Sequence, residues 1–254
     1  MTGATPAFAM TSHETPAPIA PPFEADDEDA LLRRRARARR LHGLYALTPE
    51  MQDTGRLAAL VAAALDGGAA AVQYRAKEAS AALRLLQARV IARIVAARGG
   101  VYIVNDDPAL AREVDAHGVH LGEDDGGIEA ARALLGPERL IGVSCYADLD
   151  RAREAVARGA DYVAFGSFFA SSTKPGARRA DMRLLCDAQT LGVPVVAIGG
   201  ITAANMRPLI DAGATALAVI ADVFGRDDPA AITRAASAIA RGFAAKPGLR
   251  QRSR

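Results

Sequence analysis

Short apolar segments alternate with longer amphipathic segments along most of the chain. The apolar segments, rich in Val, Ile, Leu and Ala, are typical of strands buried on both faces. They lie at 44–47, 71–75, 101–104, 118–121, 140–144, 162–165, 193–198 and 216–220. The amphipathic segments, rich in Ala, Leu and Arg, predict helices at 55–66, 79–98, 147–158, 182–191, 203–211 and 228–242. Strict alternation of strand and helix predicts parallel strands joined by crossover helices.

Eight such repeats favour a closed (β/α)8 barrel, the TIM barrel, over an open doubly wound sheet. The open sheet would need a glycine-rich dinucleotide-binding turn after its first strand, and Leu47-Thr48-Pro49-Glu50 is no such turn. A length of 254 residues suits one barrel. We therefore predict an α/β fold with a single barrel at 43–243, an N-terminal extension at 1–42 and a flexible basic tail at 244–254.

The N-terminal extension has two parts. Roughly the first 25 residues are rich in Ala, Pro and Thr without periodicity, which predicts disorder. Acidic residues at 26–29 then precede six arginines within 33–40, an order that suits the dipole of a short helix. The arginines could contact RNA or a membrane, or they could form the solvated face of a helix that covers the bottom of the barrel. We favour the covering helix, because the run is short and has acidic neighbours.

Composition limits the partners that we expect. The net charge of +2 creates no strong field, so no nucleic-acid partner is expected. Cys145 and Cys186 form no disulfide framework, which favours a reduced, cytoplasmic setting. No apolar run approaches the ~20 residues of a membrane helix, and the first residues lack the pattern of a secretory signal. The sequence does not define the oligomeric state, and a homo-oligomer is compatible with it.

Polar residues at the carboxyl ends of barrel strands meet at one mouth. After the second and third predicted strands they are Gln73, Arg75, Lys77, Asn105, Asp106 and Asp107. Asp106 and Asp125 follow adjacent strands, so they can bind one ion, and ligands that are all oxygens favour Mg²⁺ over zinc. Asp107 is instead expected to cap a helix that begins at Pro108. A single strand histidine is more often structural, so we leave His120 outside the predicted site.

Two further segments suit phosphate binding. The loop after the sixth strand carries three hydroxyls and Lys174, which suits a mobile phosphate clamp. After the seventh strand, Gly199 and Gly200 allow the backbone to approach a phosphate closely. In these barrels, backbone N–H groups of the loops after the seventh and eighth strands often bind phosphate. The mouth is thus rich in cations and poor in general bases, which suits a departing diphosphate better than proton abstraction. Cys145 has no accompanying pattern of histidine and acid, so we assign it to packing.

These motifs occur together, in one order, over about residues 43–242. They are QYRAK at 73–77, VNDD at 104–107, GVHLGEDD at 118–125, GVS at 142–144, TK at 173–174 and AIGGI at 197–201. In this combination the chain resembles the thiamine phosphate synthase family. The resemblance implies a Mg²⁺-dependent barrel enzyme with two small-molecule substrates. It would join hydroxymethylpyrimidine diphosphate to thiazole phosphate and release diphosphate by a dissociative mechanism.

The resemblance also implies roles for the residues that match its motifs. Gln73, Arg75, Lys77 and Asn105 would hold the pyrimidine diphosphate, and Ser144 would lie beside the pyrimidine. Arg75 and Lys77, together with Lys174, would be the catalytic residues, because they stabilise the leaving diphosphate.

The metal and the second substrate complete the implied site. Asp106 and Asp125 would bind Mg²⁺. The thiazole phosphate would be held by the loops after the sixth, seventh and eighth strands, through Ser171, Thr173 and Gly200, with the backbone near Ile220 and Ala221.

The chain departs from the family pattern at four positions. Tyr74 stands where Leu is usual and should point away from the site, Glu123 replaces Gln, Ser171 replaces Thr, and Ala221 replaces Ser. None of these changes removes a charge-neutralising residue. The alternatives are a thiazole tautomerase, a metal-dependent sugar-phosphate epimerase or isomerase, and a thiamine-phosphate-binding regulatory barrel. Retention of Arg75, Lys77 and the two aspartates argues against the tautomerase. An epimerase or isomerase would need an acid/base pair at the mouth, and retention of the full leaving-group apparatus argues against a regulatory barrel.

Overall fold

The computed structural model describes residues 28–122, 127–170 and 179–244. Eight parallel strands form a closed barrel in sequence order, and the eighth strand pairs with the first. They are β1 (Gly43–Leu47), β2 (Ala69–Tyr74), β3 (Val101–Asn105), β4 (Gly118–Leu121), β5 (Leu140–Tyr146), β6 (Tyr162–Phe165), β7 (Val195–Ile198) and β8 (Ala216–Val219). The predicted barrel is confirmed. The disorder predicted for the first residues and the tail after Ala244 fall outside the described residues.

Helices follow the strands around the outside of the barrel. Those in the described residues are α1 (Glu28–Ala38), α2 (Thr54–Asp66), α3 (Ala81–Ala97), α4 (Pro108–Glu113), α5 (Ile128–Leu135), α6 (Leu149–Ala157), α7 (Arg183–Asp187), α8 (Arg207–Asp211), α9 (Ala221–Phe224) and α10 (Pro229–Ala244). None of these helices is long and apolar enough to cross a membrane.

Two predicted helices differ from the observed ones. The helix predicted at 182–191 ends as a 3-10 turn, Ala188–Leu191, before Gly192, which adopts the left-handed conformation at φ +70°. The helix predicted at 203–211 begins only at Arg207. Before it, the side chain of Asn205 accepts the N–H of Thr202 at 2.8 Å, and this local turn replaces the first helical turn.

The barrel interior is filled by alternate residues of each strand, as the twofold periodicity of strands requires. In β1, Leu44 and Ala46 pack outward against the helices, whereas Tyr45 and Leu47 point into the barrel. Gly142 makes room for the large ring of Tyr162, since a Cβ at position 142 would lie 1.9 Å from that ring. Small interior residues thus accommodate two buried tyrosines within one closed barrel.

Helix α1 covers the end of the barrel opposite the strands' carboxyl ends. The Arg34 side chain is only 8% exposed, and its Nε lies 2.7 Å from Oδ1 of Asp161, the residue that precedes β6. Nη1 of Arg34 also donates to the carbonyl of Pro137 at 3.0 Å. Arg132 donates to the other oxygen of Asp161 at 2.7 Å. The predicted helix lies over the barrel bottom, but its arginines do not all form a solvated face, because Arg34 is a buried anchor.

Replacing the anchor should destabilise the protein. Arg34→Met leaves Asp161 with one cation fewer in a buried site, and breaking such a pair typically costs about 3–5 kcal/mol. Because Arg132 remains, we expect a loss of about 2–3 kcal/mol in the free energy of unfolding, measured by urea denaturation. Arg35→Met, at an exposed position of the same helix, is the matched control and should change the value by less than about 0.5 kcal/mol. Equal effects of the two variants would contradict the anchoring role.

A second contact at the same end involves a half-buried histidine. Nδ1 of His117 accepts the N–H of Tyr102 at 3.0 Å, so the ring must stay neutral at this nitrogen. Burial, reinforced by Arg37 and Arg40, lowers the pKa of His117 from 6.5 to about 4.

This contact should make stability depend on pH. Between the pKa values of 6.5 and about 4, the unfolded chain binds a proton at His117 and the folded chain does not. The free energy of unfolding should therefore decrease as the pH is lowered through that window, by up to about 1.4 kcal/mol per pH unit from this group. His117→Asn keeps an acceptor for Tyr102 without titrating there, so urea unfolding as a function of pH should show a shallower decline. Parallel profiles of the two proteins would contradict the assignment.

Candidate active site

The carboxyl ends of the strands open into one cavity of about 1480 Å³. Every predicted site residue that the structure describes lines it: Gln73, Arg75, Lys77, Asn105, Asp106, Ser144, Gly199, Gly200, Ile220 and Ala221. Residues from five of the eight strand ends therefore meet at one mouth, as barrel geometry requires. Asp125, Ser171, Thr173 and Lys174 lie outside the described residues, as does Glu123, so their roles stay predictions.

The loop that carries Arg75 and Lys77 is held by two residues that follow β1. Strand β2 ends at Tyr74, one residue earlier than predicted, so Arg75 begins the loop and does not share a strand face with Gln73. The hydroxyl of Thr48 accepts the N–H of Arg75 at 2.9 Å and donates to its carbonyl at 3.2 Å. The carboxylate of Glu50 accepts the N–H of Lys77 at 3.0 Å and of Glu78 at 3.1 Å. Sequence reasoning missed both roles, although a hydroxyl and an acid directly after a strand were a usable signal.

Lys77 and Asp106 form an ion pair at the mouth, with Nζ and Oδ2 2.9 Å apart. Asp106 adopts a positive φ of 62°, and its N–H donates to the carbonyl of His120 at 2.8 Å. Asp107 accepts the N–H of Leu110 at 2.9 Å, so its predicted role as a helix cap is confirmed.

Asp106 also fits the predicted metal ligand in chemical type. Its carboxylate is a hard oxygen donor, and its side chain is 25% exposed at the mouth. Among the described residues, no group of three or more His, Cys, Asp or Glu side chains forms a metal cage. A magnesium ion does not need one, because it is usually bound by one or two carboxylates together with waters and substrate phosphates.

A chain of hydrogen bonds crosses the barrel interior beneath the mouth. The amide nitrogen of Gln73 donates to the hydroxyl of Tyr45 at 2.9 Å, and this hydroxyl is 3.1 Å from that of Tyr162. The Tyr162 hydroxyl in turn lies 3.1 Å from Nδ1 of His120. Nε2 of His120 lies 2.9 Å from the hydroxyl of Ser144. The partner that the buried Gln73 required is thus Tyr45, and leaving His120 out of the site missed its contact with Ser144.

The two tyrosines of this chain stay neutral. Burial raises the pKa of Tyr45 and of Tyr162 above the usual value near 10. Their hydroxyls therefore act as hydrogen-bond donors and acceptors, not as bases, at ordinary pH. The network fixes Gln73 on one side of the mouth and Ser144 on the other.

The end of β5 is distorted around Ser144. The pairing of β5 with β6 shifts register between Ser144 and Tyr146. Cys145 is buried, and burial raises the pKa of its thiol to about 12, so its assignment to packing agrees with a thiol that stays protonated. Nε of Arg151 donates to the carbonyl of Ser144 at 3.0 Å, and its guanidinium lies 5.5 Å from the centre of the Tyr146 ring. Tyr146 and Arg151 also line the cavity, although no motif had indicated them.

Gly199 and Gly200 are required by the backbone as well as by space. Their φ values are +104° and +62°. A Cβ at Gly199 would lie 2.0 Å from the hydroxyl of Ser167, and one at Gly200 would lie 2.2 Å from the carbonyl of Ala170. The space beside these glycines is therefore filled by the start of the loop after β6, so that loop lies next to the end of β7. Any phosphate site there depends on both loops.

Comparison with known proteins finds similar chains over the whole barrel. A family model described as thiamine monophosphate synthase matches residues 44–223. A thiamine-phosphate synthase of Thiobacillus denitrificans is 55% identical over 206 residues, 81% of this chain and 96% of that protein. One of Chromobacterium violaceum is 53% identical over 196 residues, 77% of this chain and 95% of that protein. Among solved structures, a thiamine phosphate pyrophosphorylase from Pyrococcus furiosus has a TM-score of 0.71 and 31% identity, over 84% of this chain and 98% of that one.

The contacts of Glu50 predict slow hydrogen exchange in the loop that they hold. In Glu50→Gln, a single amide oxygen replaces two acceptors, so the amides of Lys77 and Glu78 should exchange about tenfold faster, as measured by mass spectrometry. Glu78→Gln removes the same charge from the exposed face of this loop and should leave the exchange unchanged. Unaltered exchange in Glu50→Gln would show that Glu50 does not hold the loop.

Proposed function

We propose, from the premise that the chain belongs to the thiamine monophosphate synthase family, that its mouth cavity binds a pyrimidine diphosphate and a thiazole phosphate side by side. The activity is that of a thiamine-phosphate synthase, a transferase that acts on small-molecule substrates. The observation that carries the site assignment is the meeting of Arg75, Lys77, Asn105 and Asp106 in one mouth.

The diphosphate belongs next to the loop after β2. Arg75 and Lys77 supply two cations within three residues, and Gln73 and Asn105 add amide groups at the neighbouring strand ends. Charge-assisted hydrogen bonds from such cations strengthen as negative charge develops on a leaving group. Thr48 and Glu50 hold the backbone of this loop, so the cations are positioned before the substrate binds.

The pyrimidine belongs deeper in the mouth, beside Ser144. The Ser144 hydroxyl is oriented by His120, which is itself fixed by Tyr162. Ser144 can then hydrogen-bond a heteroaromatic ring through an oxygen whose position is set by the barrel interior. The neutral tyrosines keep this region free of charge that would compete with the diphosphate site.

Asp106 and Asp125 would hold Mg²⁺, which supplies further neutralisation of negative charge on the departing diphosphate. The ion pair between Lys77 and Asp106 keeps both groups at the mouth before the substrate binds. Lys174 would meet the diphosphate from the loop after β6.

The second substrate belongs on the opposite side of the mouth. Its phosphate would be bound by backbone N–H groups at Gly199 and Gly200 and near Ile220 and Ala221, with the hydroxyls of Ser171 and Thr173. The diphosphate leaves first, the pyrimidine-stabilised carbocation forms, and the thiazole nitrogen donates its electron pair to that carbon. No proton has to be abstracted in these steps.

Incubation of the full chain with both substrates and Mg²⁺ tests the proposal. Thiamine phosphate and diphosphate should form in equal amounts, and omission of either substrate should abolish both products. Consumption of the thiazole phosphate without the pyrimidine substrate would instead support the tautomerase alternative. Binding of thiamine phosphate without any turnover would support the regulatory alternative.

The metal assignment predicts different effects at two adjacent aspartates. Asp106→Asn keeps a residue that tolerates positive φ but removes the anionic ligand, so Mg²⁺-dependent turnover should fall by about 100-fold or more. Asp107→Asn makes the same charge change at the helix cap, where Asn caps as well as Asp, and should retain activity within about threefold. Initial rates of thiamine phosphate formation across a magnesium titration measure both. Undiminished turnover in Asp106→Asn would overturn the assignment.

A further inference from the structure

The segment that follows β7 is held as a turn by Asn205. Nδ2 of Asn205 donates to the carbonyl of Gly200 at 2.9 Å, and its Oδ1 accepts the N–H of Thr202 at 2.8 Å. The hydroxyl of Thr202 accepts the N–H of Asn205 at 3.3 Å. One amide side chain thus binds the backbone on both sides of Ile201, so the segment from Gly200 to Asn205 is fixed as a unit.

Asp222 links this turn to the neighbouring strand end. Its Oδ2 accepts the N–H of Ala203 at 3.0 Å, across 19 positions in sequence. Asp222 directly follows Ile220 and Ala221, which come after β8. Strands β7 and β8 are paired side by side, so the bond joins the loops of adjacent strands. A single side chain therefore connects the two backbone segments that would bind the phosphate of the second substrate.

The charge of Asp222 opposes the binding of a phosphate. Its side chain is 20% exposed and lines the mouth cavity, as do Gly200 and Ala221. A carboxylate beside a bound phosphate raises the electrostatic free energy of the complex. Arg226 offsets part of this charge, since its Nη2 lies 3.8 Å from Oδ1 of Asp222 and its Nη1 donates to the Asp222 carbonyl. Any benefit of Asp222 to an anion site must therefore come from the hydrogen bond that it accepts, because its charge acts in the opposite direction.

We propose that Asp222 is a positioning residue for the second substrate. Its carboxylate holds the turn after β7 against the end of β8, so that backbone N–H groups of both segments can meet one phosphate. This inference rests on the proposed function, which assigns that phosphate to Gly199, Gly200, Ile220 and Ala221. Loss of the carboxylate should then weaken phosphate binding, although it removes a negative charge from the site. Electrostatics alone predicts the opposite.

Steady-state kinetics of the full chain with Mg²⁺ and both substrates test this role. Asp222→Ala should raise the KM for the thiazole phosphate by about tenfold, the usual effect of losing a hydrogen bond to a charged group. The KM for the pyrimidine diphosphate should stay within about twofold of the wild type, because Asp222 does not hold the loop after β2. Asp222→Asn keeps an oxygen acceptor for the N–H of Ala203 and loses the charge. Its KM for the thiazole phosphate should therefore be at or below that of the wild type.

Asp227→Ala is the matched control. It removes an acid five residues further along the chain, where the side chain is 96% exposed. Both KM values should stay within about twofold of the wild type, since solvent and salt screen an exposed charge. A partly unfolded preparation lowers the apparent kcat but leaves the KM of the folded molecules unchanged. A rise in KM therefore reports on the geometry of the site and not on a loss of folded protein.

A KM for the thiazole phosphate that is unchanged or lower in Asp222→Ala would overturn the positioning role, as would equal rises in Asp222→Ala and Asp222→Asn. A matching rise in the KM for the pyrimidine diphosphate would also contradict it, because the effect would not be specific to the second phosphate.

Calorimetric titration with the thiazole phosphate, on the same preparations, separates this role from the proposed function. Binding that depends on Asp222 without any turnover would count against the function alone. Normal turnover with equal KM values in all four proteins would count against the positioning role alone. Absence of both binding and turnover in the wild type would overturn both.

Discussion

Closure of the sheet between β8 and β1 is the constraint on which the position of every functional side chain depends. Once the eight parallel strands meet in a ring, their carboxyl ends must share one mouth, and residues far apart in sequence become neighbours. Thr48 and Glu50 can hold the loop with Arg75 and Lys77 only because β1 and β2 are paired side by side. The site is therefore built from contacts between adjacent loops more than from contacts within any one of them.

The closed barrel also has to be filled, and its filling is linked to the site. Tyr45 and Tyr162 occupy the interior, and each needs a hydrogen-bond partner there because an unpaired buried hydroxyl is costly. The partners are Gln73 and His120, and His120 reaches Ser144 at the mouth. Packing and the cavity thus use the same residues, since the polar groups that complete the core also orient Gln73 and Ser144, which line the mouth. At the opposite end, Arg34 and Asp161 fasten α1 beneath the barrel and leave the mouth open.

The fold was largely predictable from sequence because its signals are local. Apolar segments of four to six residues gave the strands, and Asp107 with Pro108 marked the start of α4. The convergence of the described candidate residues on one cavity was also predictable, because strand ends converge in any barrel. Its internal connections were not, because the bonds of Glu50 to Lys77 and of Arg34 to Asp161 join residues 27 and 127 positions apart in sequence. The contacts of His120 were not predictable for the same reason, since its ring is bound by residues of β5 and β6 that no local pattern connects to it.

The central claim is that the strand-end residues of β2 and β3 form the site where a departing diphosphate is stabilised. A crystal structure of the protein with inorganic diphosphate and Mn²⁺ in place of Mg²⁺, with the metal located by its anomalous scattering, tests this most directly. The account predicts diphosphate oxygens within hydrogen-bond distance of Arg75, Lys77 and Asn105, and the metal on the carboxylate of Asp106. Diphosphate bound only at the loops after β7 and β8, with Arg75 and Lys77 unoccupied and the metal elsewhere, would contradict it.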